Sequence, residues 1–257
     1  MTATGNDSDE PKSGARQRAQ AESSLDRTET AVPSRAARNA GLFLILTALV
    51  TVVTVAGRVA ADADRDTVQE TLAAIADSRF PYALSGAGRL ASGITLTVAA
   101  LYLYRTWIIR ERRVTPIVPG ILALSGVFTT ISGLTAVLLT ATLPGSGGSA
   151  SSIHEFMDGL HWLTGVAGFS IVGLALVVVA PWQYRFGGIL RTIAPVSAVV
   201  GAVMQLIWIQ DFTALHRMSG MVFFIWLIAI GLILVSGRAE RQVRSWVSSG
   251  NARFAGK

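Results

Sequence analysis

The sequence predicts an all-α fold, a polytopic membrane protein built as a six-transmembrane-helix bundle, and three observations carry that expectation. Six apolar stretches fill positions 41–237, each long enough, at about 1.5 Å per residue, to cross a hydrocarbon layer roughly 30 Å thick. Charge is scarce: 15% of the 257 residues are charged and 51% are hydrophobic, where a soluble domain carries about a quarter charged. Lysine and arginine gather beside every second gap between the apolar stretches. Residues 39–237 therefore read as one membrane domain, flanked by a polar tail at 1–38 and a basic tail at 238–257.

The first 38 residues are polar, mixed in charge and without apolar periodicity. Such a segment cannot bury enough surface to offset its ordering entropy, so disorder is expected. It is long, partly acidic and lacks a nearby small-residue cleavage site, unlike a signal peptide, so the first span is expected to stay as an anchor. The spans run at about 41–61, 83–107, 116–142, 159–181, 187–209 and 218–237. Seventeen basic residues fall in the tails and the second and fourth gaps, including Arg110, Arg112, Arg113, Arg185, Arg238 and Arg241, while the other side holds four: Arg58, Arg65, Arg79 and Arg217. By the positive-inside rule both termini are cytoplasmic and the address is the inner (plasma) membrane. Trp107 and Trp182 close spans at the cytoplasmic edge, and Trp162 and Trp208 mark the outer one, as amphipathic rings prefer.

Between spans one and two, residues 62–79 suggest a short helix with Val68, Leu72 and Ile75 on one face. After span six, Val243, Trp246 and Val247 stand among arginines, the pattern of an interfacial helix on anionic lipid headgroups. Glycines such as Gly88, Gly93, Gly126, Gly133, Gly165 and Gly168 suit close helix packing, because lipid gives helices no hydrophobic drive to associate. Pro119 and Pro195, each followed by a glycine six or seven residues on, suggest that hairpin four–five repeats hairpin two–three. With no cysteine, disulfides and thiolate metal sites are excluded, and the +6 net charge, placed at bilayer edges, points to lipid and not to nucleic acid.

The topology places all three histidines toward one outer face. His154, Asp158 and His161 stand at i, i+4 and i+7, on one side of a helix, and His216 begins the last span. Imidazole and carboxylate are zinc ligands, so these four residues form a candidate outer metal site, and an open position there would support hydrolysis. Haem between His161 and His216 is the other cofactor geometry that two facing helices allow. The same residues also fit a structural role: Ser152 followed by Glu155 is a capping box, and the spacing is not the zincin HExxH. No motif requires a cofactor. Arg89 lies two turns into span two, where it either snorkels or pairs with Glu155, Asp158 or Asp211. Paired, it would join Asp158, His161, Gln205, Asp211 and His216 in an outward polar pocket.

There is no Walker loop, GxSxG elbow or dinucleotide fingerprint, and no span carries paired ionisable residues at mid-depth as an ion-coupled transporter would. The stretches HEFMDGLHWLTGVAGF, ALYLYRTWIIRERR and ALHRMSGMVFFIWLIAIGL resemble bacterial six-span membrane families known only as domains of unknown function. That resemblance covers roughly residues 40–237, implies the same fold and membrane address, and implies no activity. The expected role is non-catalytic: binding or sensing a ligand or lipid, or supporting a membrane complex. A metal-dependent hydrolase and a small transporter are the alternatives.

Overall fold

Backbone amides have no partner in lipid, so an apolar chain that crosses it must satisfy them within helices. The computed structural model follows that rule, and describes residues 34–63, 65, 67–144, 151–209 and 213–249, the side chains of 213–219 excepted. Among these residues every regular element is helical. The order is α1 (Arg35–Ala61), α2 (Val68–Asp77), α3 (Arg79–Tyr104), a single turn α4 (Trp107–Arg110), α5 (Ile117–Thr142), α6 (Ser152–Phe186) and α7 (Gly188–Val203). A 3-10 turn at Met204–Trp208 follows, then α8 (Thr213–Val235) and α9 (Arg238–Ser248). Five helices are long and apolar enough to cross a membrane, and six when α8 and α9, bent by 66° at Gly237, are counted as one broken span. The chain is an all-α, multi-pass membrane bundle.

The helices pack in chain order, α1 on α3, α3 on α5, α5 on α6 and α6 on α7, and α8 returns to lie against α1. Their outer faces carry exposed Leu42, Leu49, Phe80, Ile94, Val199 and Ile225. Exposed apolar surface on this scale belongs against acyl chains. Serines and threonines in the spans return their hydroxyls to carbonyls one turn back, as Thr97 does to Gly93 and Thr130 to Gly126. Hydroxyls bonded this way are satisfied without water. Contact between α3 and α5 is backbone to backbone: a Cβ on Gly133 would stand 2.6 Å from the Leu90 Cα and 2.8 Å from the Gly86 carbonyl.

Helix boundaries outrun the apolar stretches. α1 starts at Arg35, capped by the Ser34 hydroxyl on the Ala37 N–H, so residues 35–38 of the expected tail are helical, while 1–33 lie outside the described residues. α6 runs 35 residues, about 52 Å, well past the expected 159–181. Hydropathy marks where lipid begins, but caps and side-chain bonds decide where a helix ends. The fifth span also breaks from expectation: helix stops at Val203 and tightens into the 3-10 turn where the Gln205 amide bonds the Gly201 carbonyl.

Two further expectations are corrected. Pro119 sits in the first turn of α5, whereas Pro195 lies inside α7, so the proposed hairpin repeat is not matched in position. The apolar face of α9 packs on protein: Val243 is fully buried, and the Trp246 ring stands edge-on to Phe186 at 5.4 Å. The helix folds back on the bundle end because Glu240, 3% exposed, accepts the Ser34 N–H at 2.7 Å and the Ser34 hydroxyl at 2.6 Å. A carboxylate at the N-terminus of α1 also meets the positive end of that helix dipole. In α2, Leu72 and Ile75 are buried as expected, but Val68 in the first turn is 46% exposed, beyond the edge of the bundle.

Candidate functional site

At the bundle end opposite α9, α3, α5 and α6 bring polar groups together inside the apolar helices. Ser132 of α5 is their hub and is fully buried. Its hydroxyl donates to the His161 carbonyl at 2.8 Å and accepts from Arg89 Nη1 at 3.0 Å. The His161 ring returns the contact, with Nδ1 at 2.8 Å from the Ser132 carbonyl. A carbonyl only accepts, so Nδ1 carries a proton.

The approach depends on Gly165, one turn beyond His161 on α6. A Cβ there would stand 2.8 Å from Arg89 Nη1 and 3.1 Å from the Ser132 hydroxyl. The missing side chain is therefore the space the guanidinium occupies. Arg89 thus takes the bundle-facing alternative and does not snorkel out toward the bilayer edge.

Tyr82, one residue in from Pro81 on α3, closes the cluster. Its ring lies 5.9 Å from that of His161, centroid to centroid, and 5.4 Å from the Arg58 guanidinium of α1 stacked over its face. Its hydroxyl is buried, and the Arg58 guanidinium beside it acts on it as a hydrogen-bond donor. Arg89 and Asp158, which stands one turn before His161, are within electrostatic reach of it as well. Helix α2 covers this end, packing Leu72 and Ile75 beside Tyr82 and Leu139. The result is two guanidinium groups and one carboxylate around a phenol and an imidazole, a net positive environment under an apolar lid. Such a setting favours an anionic or strongly accepting guest.

The remaining predicted residues fall elsewhere. His154 uses both ring nitrogens locally: Nδ1 accepts the Ser151 N–H at 3.0 Å, and Nε2 lies 3.2 Å from the Thr142 carbonyl. The capping box at the start of α6 is accordingly Ser151 with His154, in place of Ser152 with Glu155, and Glu155 instead accepts from Gln69 of α2. His154 and His161 are two turns apart, about 10.5 Å along the axis. Ligands of one zinc ion lie about 2 Å from it, so this pair does not converge on a common centre. Among the described residues no group of three or more histidine and carboxylate side chains could hold a metal ion. Asp211 and the His216 side chain lie outside the described residues, and with them the four-ligand zinc site and the His161–His216 haem pair.

Gln205 does not join the cluster. Its amide carbonyl accepts the Ser170 hydroxyl at 2.6 Å and its NH2 donates to the Ser170 carbonyl at 3.0 Å, nine residues along α6 from His161. It is a latch between α6 and the 3-10 turn. A second buried network escaped the sequence reading. The Ser197 hydroxyl donates to Gln183 at 2.6 Å and accepts from the Trp226 indole at 2.7 Å, joining α7, α6 and α8. Tyr82, Arg58 and Ser132 were missed too. Gly165 placed one turn after His161 was the available signal for Arg89, since a gap beside a polar residue invites a long side chain.

No family model, curated protein or solved structure matches the chain.

Proposed function

We propose that this is a protein of the bacterial inner (plasma) membrane with cytoplasmic termini, which binds an anionic or hydrogen-bond-accepting ligand at its histidine-bearing end. Its role is that of a sensor, a carrier of a bound group or a component of a membrane complex, and not that of a catalyst. The observation that carries this reading is the convergence of Arg58 and Arg89 around the buried Tyr82 and His161, inside a bundle where ionisable residues are costly. The orientation rests on the seventeen-to-four distribution of basic residues.

Two experiments test it. Thermal melting in detergent with sodium acetate, sulfate or phosphate, at constant ionic strength, is expected to stabilise the wild type with at least one anion and Arg89→Gln with none. Equal responses of the two proteins would remove the ligand reading. Because the chain has no cysteine, single replacements report topology directly. Exposed Ala73→Cys should react with an impermeant maleimide on intact cells, and exposed Ser248→Cys only after permeabilisation. The opposite pattern would invert the orientation.

A further inference from the structure

The end of the bundle that carries α9 holds a cleft of about 750 Å³, open between that helix and the corner where α6 turns into α7. Its lining combines basic, hydroxyl and apolar side chains. Arg238, Arg241, Ser245 and Trp246 line it from α9, and Phe186 and Ile189 line it from the corner. The ion pairs Arg65–Asp62 and Arg113–Glu111 involve neither arginine. The carboxylate beside them in sequence, Glu240, is turned to the other face of α9, where it is buried on Ser34. Among the described residues the cleft therefore holds two arginines with no carboxylate lining it, and a hydroxyl donor.

The corner itself is shaped for this opening. Gly187 and Gly188 have φ of +77° and +49°, a left-handed backbone that suits glycine, and the Gln242 side chain fills the space against Gly188 while donating to the Phe186 carbonyl at 3.3 Å. That bond holds α9 beside the start of α7 and leaves the arginines facing the cleft. Ile189 is exposed in the first turn of a membrane-spanning helix, so the apolar part of the lining meets the edge of the hydrocarbon layer.

The geometry points to a binding site for the phosphate headgroup of an anionic phospholipid, with Arg238, Arg241 and Ser245 on the phosphate and Phe186, Ile189 and Trp246 against the glycerol and upper acyl chain. A free phosphate offers the same anion, but it has no use for a wall that continues into the lipid-facing surface. Arginine forks match phosphate oxygens in pairs, and basic pockets at span ends are a known way for proteins to select acidic headgroups. This site is at the opposite end from the Arg89 cluster and stands independently of it.

Native mass spectrometry of the detergent-purified full chain, titrated with phosphatidylglycerol or phosphatidylcholine, tests the assignment. Phosphatidylglycerol is expected to bind and phosphatidylcholine to bind weakly or not at all. Arg238→Gln with Arg241→Gln should weaken phosphatidylglycerol on the order of thirtyfold. Arg110→Gln with Arg244→Gln removes the same charge outside the cleft and should change binding less than about threefold, since Arg244 lies over Trp107, 5.4 Å from its ring centroid. Ser245→Glu, an exposed position, places a carboxylate in the cleft and should abolish binding should the arginine pair prove poorly folded. Equal losses from the two arginine pairs, equal binding of the two lipids, unchanged binding by Ser245→Glu, or displacement of phosphatidylglycerol by excess inorganic phosphate would each overturn the lipid site.

Discussion

Gly133→Ala is the sharpest test of how this bundle holds its polar cluster. The added Cβ would stand 2.6 Å from the Leu90 Cα, and closer still to its nitrogen, where ordinary contact begins at 3.4 Å. The shortfall is about 0.8 Å or more, and the atoms that must yield are backbone atoms of α3, which cannot rotate aside. The same two helices also touch at Gly93, whose Cβ would meet the Thr130 nitrogen and the Gly126 carbonyl, so they can separate only along several turns. Overpacking of this kind costs about 1–3 kcal/mol, and a rigid neighbour puts it near the upper end. Alanine returns up to about 1 kcal/mol in helix propensity, leaving a net loss of roughly 2 kcal/mol. For a chain of this size that lowers the melting temperature by about 4–8 °C. Ser132 precedes Gly133 and Arg89 precedes Leu90, so the shift also stretches their 3.0 Å bond past hydrogen-bonding range. The assay is thermal melting in detergent, read by tryptophan emission, beside Gly159→Ala, which meets nothing within 4 Å and should leave stability unchanged or raise it by up to about 1 kcal/mol. A Gly133→Ala protein that melts with the wild type, or no lower than Gly159→Ala, refutes the close-contact argument.

Three other perturbations separate packing from site. Gly165→Ala presses on the mobile end of Arg89 and not on backbone, so the melting temperature should fall little while the anion response vanishes; a retained response counts against that placement of Arg89. Ser197→Ala strands the Trp226 N–H and the Gln183 carbonyl, at about 1–3 kcal/mol, and a double-mutant cycle with Trp226→Phe should show clear coupling; additive losses would mean the bond contributes nothing. Glu240→Ala removes the acceptor for Ser34 and should destabilise by about 1–3 kcal/mol while hastening amide exchange in α9; unchanged exchange there would show that α9 is held by its apolar face alone.

Much of the site was hidden because its contacts join residues far apart in the chain. Arg89, Asp158 and His161 stood out as ionisable residues in apolar helices, which is a local property. Their company did not. Ser132 is one of many serines in the spans, and nothing in its neighbours distinguishes it from Ser125, which bonds the Gly168 carbonyl. Gln205 looked like a pocket residue by depth, but its rotation about the helix aims it at Ser170. His154 looked like a ligand by spacing, yet the loop carbonyl of Thr142 occupies its second nitrogen. Val243 and Trp246 had the period of an interfacial helix, and that period is the same whether lipid or protein covers the face.

The sequence by itself determined the class, the approximate spans and the asymmetry of charge. Each follows from transfer free energies that act residue by residue: apolar side chains enter lipid, arginines stay at its edge, and a backbone in lipid must be helical. Only the tertiary structure decided which faces meet. It set Arg89 over the gap at Gly165, placed Glu240 on Ser34 across 206 residues, and opened the cleft between α9 and the Gly187–Gly188 corner. Those choices depend on helix rotation, depth and close approach, which are fixed by the packing of all the helices together and by no single stretch of chain.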